Sequence, residues 1–353
     1  MNALEILEKT IELGGSDIFI VAGLAVVCKV GHKKEKITEN KLMPDDTLSI
    51  IKEIYAMAKR DISYLMETGD DDFSFAIAGL SRFRINTYKQ RGTLAAVIRT
   101  ITFHLPDPKQ LGISDSILEL ANENKGLVLV TGPAGSGKST TLACMIDYIN
   151  HRSSKHIITL EDPIEYLHRH DQSIISQREI NIDTKSYVTA LRASLRQSPD
   201  IILLGEMRDL ETIEVAMTAA ETGHLVLSTL HTIGASKTID RIIDSFPANQ
   251  QEQVAVELAM VLNAVVSQQL LPTVDDQVVP VFEIMIVNTA IRNLIRENKT
   301  HQIDGVIASS GQSQMISMDN AIIQLYKEGV ISKRTAIEYS QNRDLMIKKI
   351  GML

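Results

Sequence analysis

The sequence predicts an α/β protein in which a helix-crossed parallel sheet follows a smaller α+β domain, and three observations carry that prediction. From Ser114 onward, short apolar runs alternate with stretches of helical periodicity, the pattern of βαβ units. Before it lies "TFHLPDPKQLG", whose prolines and glycine in a polar setting mark a linker. At 353 residues the chain exceeds what one hydrophobic core usually covers. We therefore expect an amino-terminal domain at 1–101, a linker at 102–113 and a larger domain at 114–353 that ends in a helical region, 289–353.

In chain order, "MNALEILEKTIELGGSD" alternates acids with leucines and lacks the basic start and apolar core of a secretory signal. "SDIFIVAGLAVVCKVG" holds two short β-rich runs, and "DDTLSIIKEIYAMAKR" carries helical spacing behind Pro44. "DFSFAIAG", "RFRINTY" and "LAAVIRTI" are three more strand candidates. Beyond the linker, "GLVLVTG", "HIITLE", "DIILLGE" and "HLVLSTLH" read as buried parallel strands, each ending in a polar or glycine-rich group. Past Asn249 the pattern is mainly helical, with a short β-like stretch at "VVPVFEIMI".

Bulk properties exclude several classes. No apolar stretch reaches the roughly 18 residues a membrane helix needs, so a cytoplasmic protein is expected. Cys28 and Cys144 lie far apart with no CxxC spacing, which indicates neither a disulfide framework nor a zinc site. A net charge of −8, no tryptophan and 4% aromatics argue against a general nucleic-acid surface.

"TGPAGSGKSTT" follows the strand "GLVLV" and opens a helical run, so Gly132, Gly137, Lys138 and Ser139 fill every fixed position of a P-loop. Glycines let successive backbone N–H groups turn inward around phosphates, and the helix N-terminus adds its positive dipole end. The segment Gly132, Pro133, Ala134, Gly135, Ser136, Gly137, Lys138, Ser139, Thr140 is thus the candidate ATP cradle, with Lys138 for the β- and γ-phosphates and the Ser139 hydroxyl for Mg2+. A P-loop site needs a second acid near magnesium. Asp200, at the beginning of "DIILLGE", lies roughly 20 Å from that strand's carboxyl end, so Glu206 is the candidate metal and catalytic acid. Glu161 ends "HIITLE" and could polarise water, and His231 ends "HLVLSTLH", where an imidazole could sense the γ-phosphate.

"SRFRINTYKQRGTLAAVIRT" contains five basic residues and no acid, in a chain that is acidic as a whole. Strand periodicity puts Arg82 and Arg84 on one face and Phe83 and Ile85 on the other. These arginines either form a solvated face paired with the preceding "ETGDDD", or meet phosphates bound by a neighbouring subunit.

Taken together, "GPAGSGKSTT", "ITLEDPIEY", "LRQSPDIILLGEMRDLETIEVAMTAAETGHLVLSTLHT" and "ASKTIDRIIDSFP" resemble the secretion ATPase superfamily of type II secretion and type IV pili. They stand where that family has its Walker A motif, acidic box, glutamate-type Walker B and histidine box. "AIRNLIRE" at 290–297 is similar to a signature of the branch that retracts type IV pili and drives twitching motility. The resemblance implies a PAS-like amino-terminal domain, a RecA-like ATPase domain, and a homo-hexamer with ATP held between the two domains. It implies roles for Glu206 as Walker B glutamate, Glu161 as acidic-box glutamate and His231 as histidine-box residue, and it matches Arg82, Arg84 and Arg99 to arginine positions of the family. Implied partners are an inner-membrane pilus platform protein and a sister pilus ATPase. The location implied is the cytoplasmic face of the inner membrane, peripheral to it, with no nucleic acid bound. Departures are Phe19 where a histidine is common, Gln197 and Ser198 in place of two acids, and Thr289 in place of a proline. Two further readings of the same core stay open: a nucleic-acid translocase, and an accessory paralogue of a pilus or secretion ATPase. On a helix, Ile291, Leu294 and Ile295 of "AIRNLIRE" share an apolar face, and Arg292 with Arg296 and Asn293 with Glu297 form polar i,i+4 pairs.

Overall fold

The computed structural model describes residues 1–31, 33–101, 105–310 and 314–352. Residues 102–104 of the expected linker lie outside that set. The chain divides into two compact units, Met1–His104 with Glu165–Leu167, and Leu105–Ile164 with His168–Leu353.

In the first unit, strands β1 (Asp17–Ile20), β2 (Val27–Val30), β3 (Lys33–Lys36), β4 (Asp70–Ile77), β5 (Ser81–Gln90) and β6 (Thr93–Ile101) form an antiparallel sheet in the order β3-β2-β1-β6-β5-β4. Helices Ala3–Glu12 and Pro44–Met57 contribute Ile6, Leu7, Ile50, Ile51 and Ile54 to one core with Ile18, Phe83, Ile85 and Ile98 of the sheet. Alternation is clean on β5, where Phe83 and Ile85 are fully buried while Arg82 and Arg84 are partly exposed. β3, "KKEK", is a strand that the sequence pattern does not predict: all four residues are exposed, so this edge strand exists by pairing with β2 and has no apolar face to announce it.

The second unit holds β7 (Gly126–Thr131), β8 (His156–Glu161), β9 (Ile174–Glu179), β10 (Ile201–Leu204), β11 (Leu225–Leu230), β12 (Leu262–Pro272) and β13 (Val278–Ile286), in the order β13-β12-β7-β11-β10-β8-β9. All neighbours pair in parallel except β12 with β13. The central strands read as unbroken apolar runs because both faces are covered. Leu127 and Leu129 enter one core with helices Leu210–Glu221 and Gln251–Val261, and Val128 and Val130 enter the other with helix Lys138–Asn150. Two strands depart from expectation. β12 lies in a stretch read as helical; it carries buried Ser267, Gln268 and Gln269, of which Ser267 accepts from Gly234 N and Gln268 from Thr141 Oγ1. β9, "IISQRE", is a half-polar edge strand.

Candidate functional site

Parallel pairing brings the carboxyl ends of β7, β11, β10 and β8 to one edge of the sheet, where ligands of such sheets bind. Thr131 lies beside Leu230, and Leu204 lies between Ser228 and Leu160. The phosphate loop, His231, Glu206 and Glu161 follow directly from those ends.

The loop needs its glycines for different reasons. Gly132 has φ +144°, and a Cβ there would sit 2.1 Å from the Gln268 carbonyl oxygen and 2.8 Å from Ser136 Oγ. Gly137, at φ +90°, caps helix Lys138–Asn150. The Lys138 ammonium is buried, donating to the Gly132 and Pro133 carbonyls at 2.9 Å each. Thr131 Oγ1 and Ser136 Oγ are buried without a hydrogen-bond partner. Two orphaned hydroxyls, a buried cation and a helix N-terminus suit a polyphosphate, whose oxygens would satisfy all of them.

Lys138 Nζ also approaches His231 Nδ1 at 3.5 Å, and His231 Nε2 lies 3.2 Å from Glu206 Oε2. The imidazole thus bridges the Lys138 ammonium and the Glu206 carboxylate. Arg208 pairs with the other Glu206 oxygen. Burial pushes the Glu206 carboxyl up, but the hydrogen bond and charge of Arg208, and then those of His231, outweigh it and hold the group below the usual carboxylate range. Backbone bonds fix the segment beyond β10: Gly205 N–H donates to Leu160 O at 2.8 Å, and Met207 N–H to Thr229 O at 3.1 Å. Thr229 Oγ1 adds a bond to Gly205 O at 2.7 Å. A Cβ on Gly205 would meet the Tyr187 hydroxyl at 2.9 Å and the Glu161 Cα at 3.5 Å, so this glycine lets the two acid-bearing strand ends pack side by side. Burial and, after it, the charges of Asp162 and Glu206 push the Tyr187 hydroxyl upward, so it stays protonated. Glu161 accepts from Thr159 Oγ1 at 2.6 Å and from Gln177 Nε2 at 3.3 Å.

The structure thus brings together Lys138, His231 and Glu206, with Glu161 on the adjoining strand. Ser139 is exposed on the first turn of the helix. No cluster of three or more His, Cys, Asp or Glu suited to a metal occurs among the described residues, so an ion here would take much of its coordination from substrate phosphates and water. Arg82, Arg84 and Arg99 sit on the sheet of the first unit. Arg82 Nη2 donates to Ser74 Oγ at 3.2 Å, Arg84 Nη2 to Asp72 Oδ2 at 2.8 Å, and Arg99 Nε to Asp17 Oδ1 at 2.9 Å. Three contributors went unread in the sequence. Arg208 stands two residues past Glu206. Gln268 accepts from Thr141 Oγ1 at 2.7 Å and backs the loop, and Tyr187 faces Gly205. In "AIRNLIRE", Ile291 and Ile295 are fully buried as expected, but the polar pairs differ: Arg292 Nε donates to Ala259 O at 2.8 Å, and Arg296 bonds Asn293. The carbonyl of a neighbouring helix's last turn is a stronger partner for a guanidinium than a second arginine.

A phosphate loop behind a buried parallel strand, with an acid ending a nearby strand and a histidine beyond the next, defines a P-loop ATP hydrolase on a RecA-like core. The chain belongs to the type II/IV secretion system protein family, whose pattern matches residues 3–343. It is 43% identical over 339 residues, 96% of this chain and 98% of the relative, to the "Type IV pilus retractation ATPase PilT" of Pseudomonas aeruginosa. To the "Type IV pilus ATPase PilU" of the same organism it is 37% identical over 353 residues, covering 99% of this chain and 92% of that one. Among solved structures it is similar to the pilus retraction motor PilT with bound ADP, at TM-score 0.90 and 47% identity over 99% of both chains. The first unit is the smaller, amino-terminal part of that architecture.

Proposed function

We propose that this chain is a hexameric, Mg2+-dependent motor that retracts type IV pili and so powers twitching motility. The observation that carries the reading is the Lys138–His231–Glu206 convergence behind the phosphate loop, in a chain that matches a retraction motor from end to end. On arrival of ATP, Lys138 exchanges two loop carbonyls for phosphate oxygens, and the backbone of 132–140 and the Ser136 hydroxyl cradle the phosphates. Mg2+ held by the Ser139 hydroxyl and Glu206 would neutralise charge developing on the phosphates. Glu206 orders the attacking water, Glu161 takes its proton, and His231 reads the γ-phosphate. Arg82, Arg84 and Arg99 complete the site of a neighbouring subunit. The exposed pair of Arg84 with Asp72 is worth about 0–1 kcal/mol, so releasing it costs little. ATP-driven domain closure then works on an inner-membrane platform protein, with the ring peripheral to the cytoplasmic face of the membrane. No helix among the described residues is long and apolar enough to cross a membrane. A second reading, an accessory paralogue that acts beside a sister ATPase, draws on the similarity to PilU.

Deleting the gene tests the proposal. Abundant surface pili with lost twitching, restored by the wild-type chain and not by Glu206→Gln, is the expected result, whereas loss of pili would assign the motor to assembly. Twitching that survives deletion while a sister ATPase is present would favour the accessory reading. DNA should leave hydrolysis by the purified protein unchanged; stimulation would move the assignment to a nucleic-acid translocase.

A further inference from the structure

Glu283, on β13, is a fully buried carboxylate that the reaction does not use. Its Oε1 accepts from Ala235 N at 2.8 Å, at the start of helix Ala235–Ile243, and its Oε2 from Met318 N at 3.1 Å, at the start of helix Met318–Lys327. Oε2 also accepts from Gln341 Nε2 at 3.2 Å. Two helix N-termini aimed at one carboxylate supply the donors that a buried acid requires. Burial still pushes the Glu283 carboxyl above its ordinary range, with Asp304 adding to it and the three donors opposing.

The position of this group in the sheet gives it a further consequence. Thr131, the residue before the phosphate loop, lies beside Ser267 of β12, and Ser267 lies beside Glu283 of β13. Ser267 Oγ accepts from Gly234 N at 2.9 Å, so Ser267 and Glu283 together hold two successive N–H groups three and four residues beyond His231. Gly234, at φ +96°, allows the approach: a Cβ there would come within 3.1 Å of Gln341 Nε2 and 3.8 Å of Glu283 Oε1. Asp319, in the first turn of helix Met318–Lys327, accepts from the N–H groups of Gln341 and Asn342, which ties that turn to the same point. One polar row therefore runs from the end of the phosphate-loop strand, through the anchor of the His231 loop, to the carboxyl-terminal helices.

The geometry points to Glu283 as a positioning residue that holds His231 against Lys138 and Glu206 and couples that placement to the helices beyond residue 317. This inference rests on the reading of His231 given above. Replacing Glu283 with glutamine keeps the size but turns one acceptor into a donor, so one of the two helix starts loses its partner. The test is steady-state ATP hydrolysis by the full chain, with affinity read from a fluorescent ATP analogue, for Glu283→Gln, His231→Ala and the double variant.

The expected result is a roughly tenfold lower kcat with KM and affinity changed less than about threefold, and no further loss when Glu283→Gln is added to His231→Ala. Losses that multiply in the double variant would show that Glu283 acts independently of His231, and an unchanged kcat would show that it does not act at all; either overturns the inference. A silent His231→Ala would instead refute the reading of His231 itself and take the inference with it. If Glu283→Gln fails to fold, exposed Gln341→Ala, which removes one donor from the same carboxylate, carries the same cycle with a smaller expected effect.

Discussion

Gly132 and Gly135 are both phosphate-loop glycines with positive φ, at +144° and +76°, yet the structure predicts unequal costs for adding a methyl group to them. At Gly135 nothing lies within 4 Å of the added carbon, so alanine there meets only backbone strain of about 1–2 kcal/mol. At Gly132 the added carbon falls 2.1 Å from a backbone oxygen of β12, about 1.3 Å inside ordinary contact, and φ lies where few residues except glycine go. That oxygen does not yield easily. The oxygen belongs to the β12 backbone at Gln268, whose side chain is bonded to Thr141. The loop must therefore move by about 1 Å, a displacement that costs about 10² in rate when it misplaces a reacting group. Gly132→Ala should lose about 10² in kcat/KM and in affinity for a fluorescent ATP analogue, and Gly135→Ala no more than about tenfold. The chain has no tryptophan, so indole emission does not interfere with that readout. Equal losses in the two variants, or a reversed order, would show that the Gln268 carbonyl does not constrain the loop.

Arg208→Ala should move the acid limb of the pH–rate profile upward. The lowered folded-state pKa of Glu206 keeps the carboxylate ionised until pH falls below the ordinary carboxylate range, and without Arg208 the burial effect is less opposed; an unmoved limb would exclude Glu206 from the rate. In the first unit, Asp71→Asn removes a charge whose oxygens accept from Arg60 Nε and Nη2 at 2.8 and 2.6 Å and from Tyr55 at 2.8 Å, and should cost about 2 kcal/mol in urea unfolding. Burial raises the Asp71 carboxyl and the Arg60 and Tyr55 contacts more than reverse it. The stabilisation is therefore complete above the ordinary aspartate pKa and is lost as pH falls through the lowered one, a dependence the variant should lack. Arg292→Ala deletes the bond to Ala259 O and should lower Tm by roughly 2–4 °C while leaving affinity for nucleotide intact, read by thermal shift with and without ATP.

The parts of the fold that were legible in sequence are those whose pattern is enforced locally. "GLVLV", "HLVLSTL" and "DIILL" are apolar throughout because helices cover both faces of the sheet, and the antiparallel "RFRI" alternates because one face is covered. β12 was hidden because "VELAMVLNAVVSQQLL" runs on from a helix without a break, and its polar residues make sense only beside β7, which lies far away in sequence. The same separation divides the site. Lys138, Glu206 and His231 announce themselves by their place at strand ends, whereas Gln268 and Glu283 gain their roles from register across the sheet, which no local window contains. Arg208 was the most accessible omission, since a cation two residues past a half-buried acid is a natural partner for it.

If the proposed function holds, the carboxylate ending "IILLGE" belongs to the chemistry of ATP hydrolysis at this phosphate loop. Steady-state hydrolysis by purified Glu206→Gln beside wild type, with nucleotide affinity measured on the same samples, tests it most directly. Retained binding is expected with a fall in kcat of about 10² or more, equivalent to about 2.7 kcal/mol of lost transition-state stabilisation. Unchanged turnover would contradict it, leaving Glu206 as a structural partner of Arg208 and His231 and passing the catalytic role to Glu161.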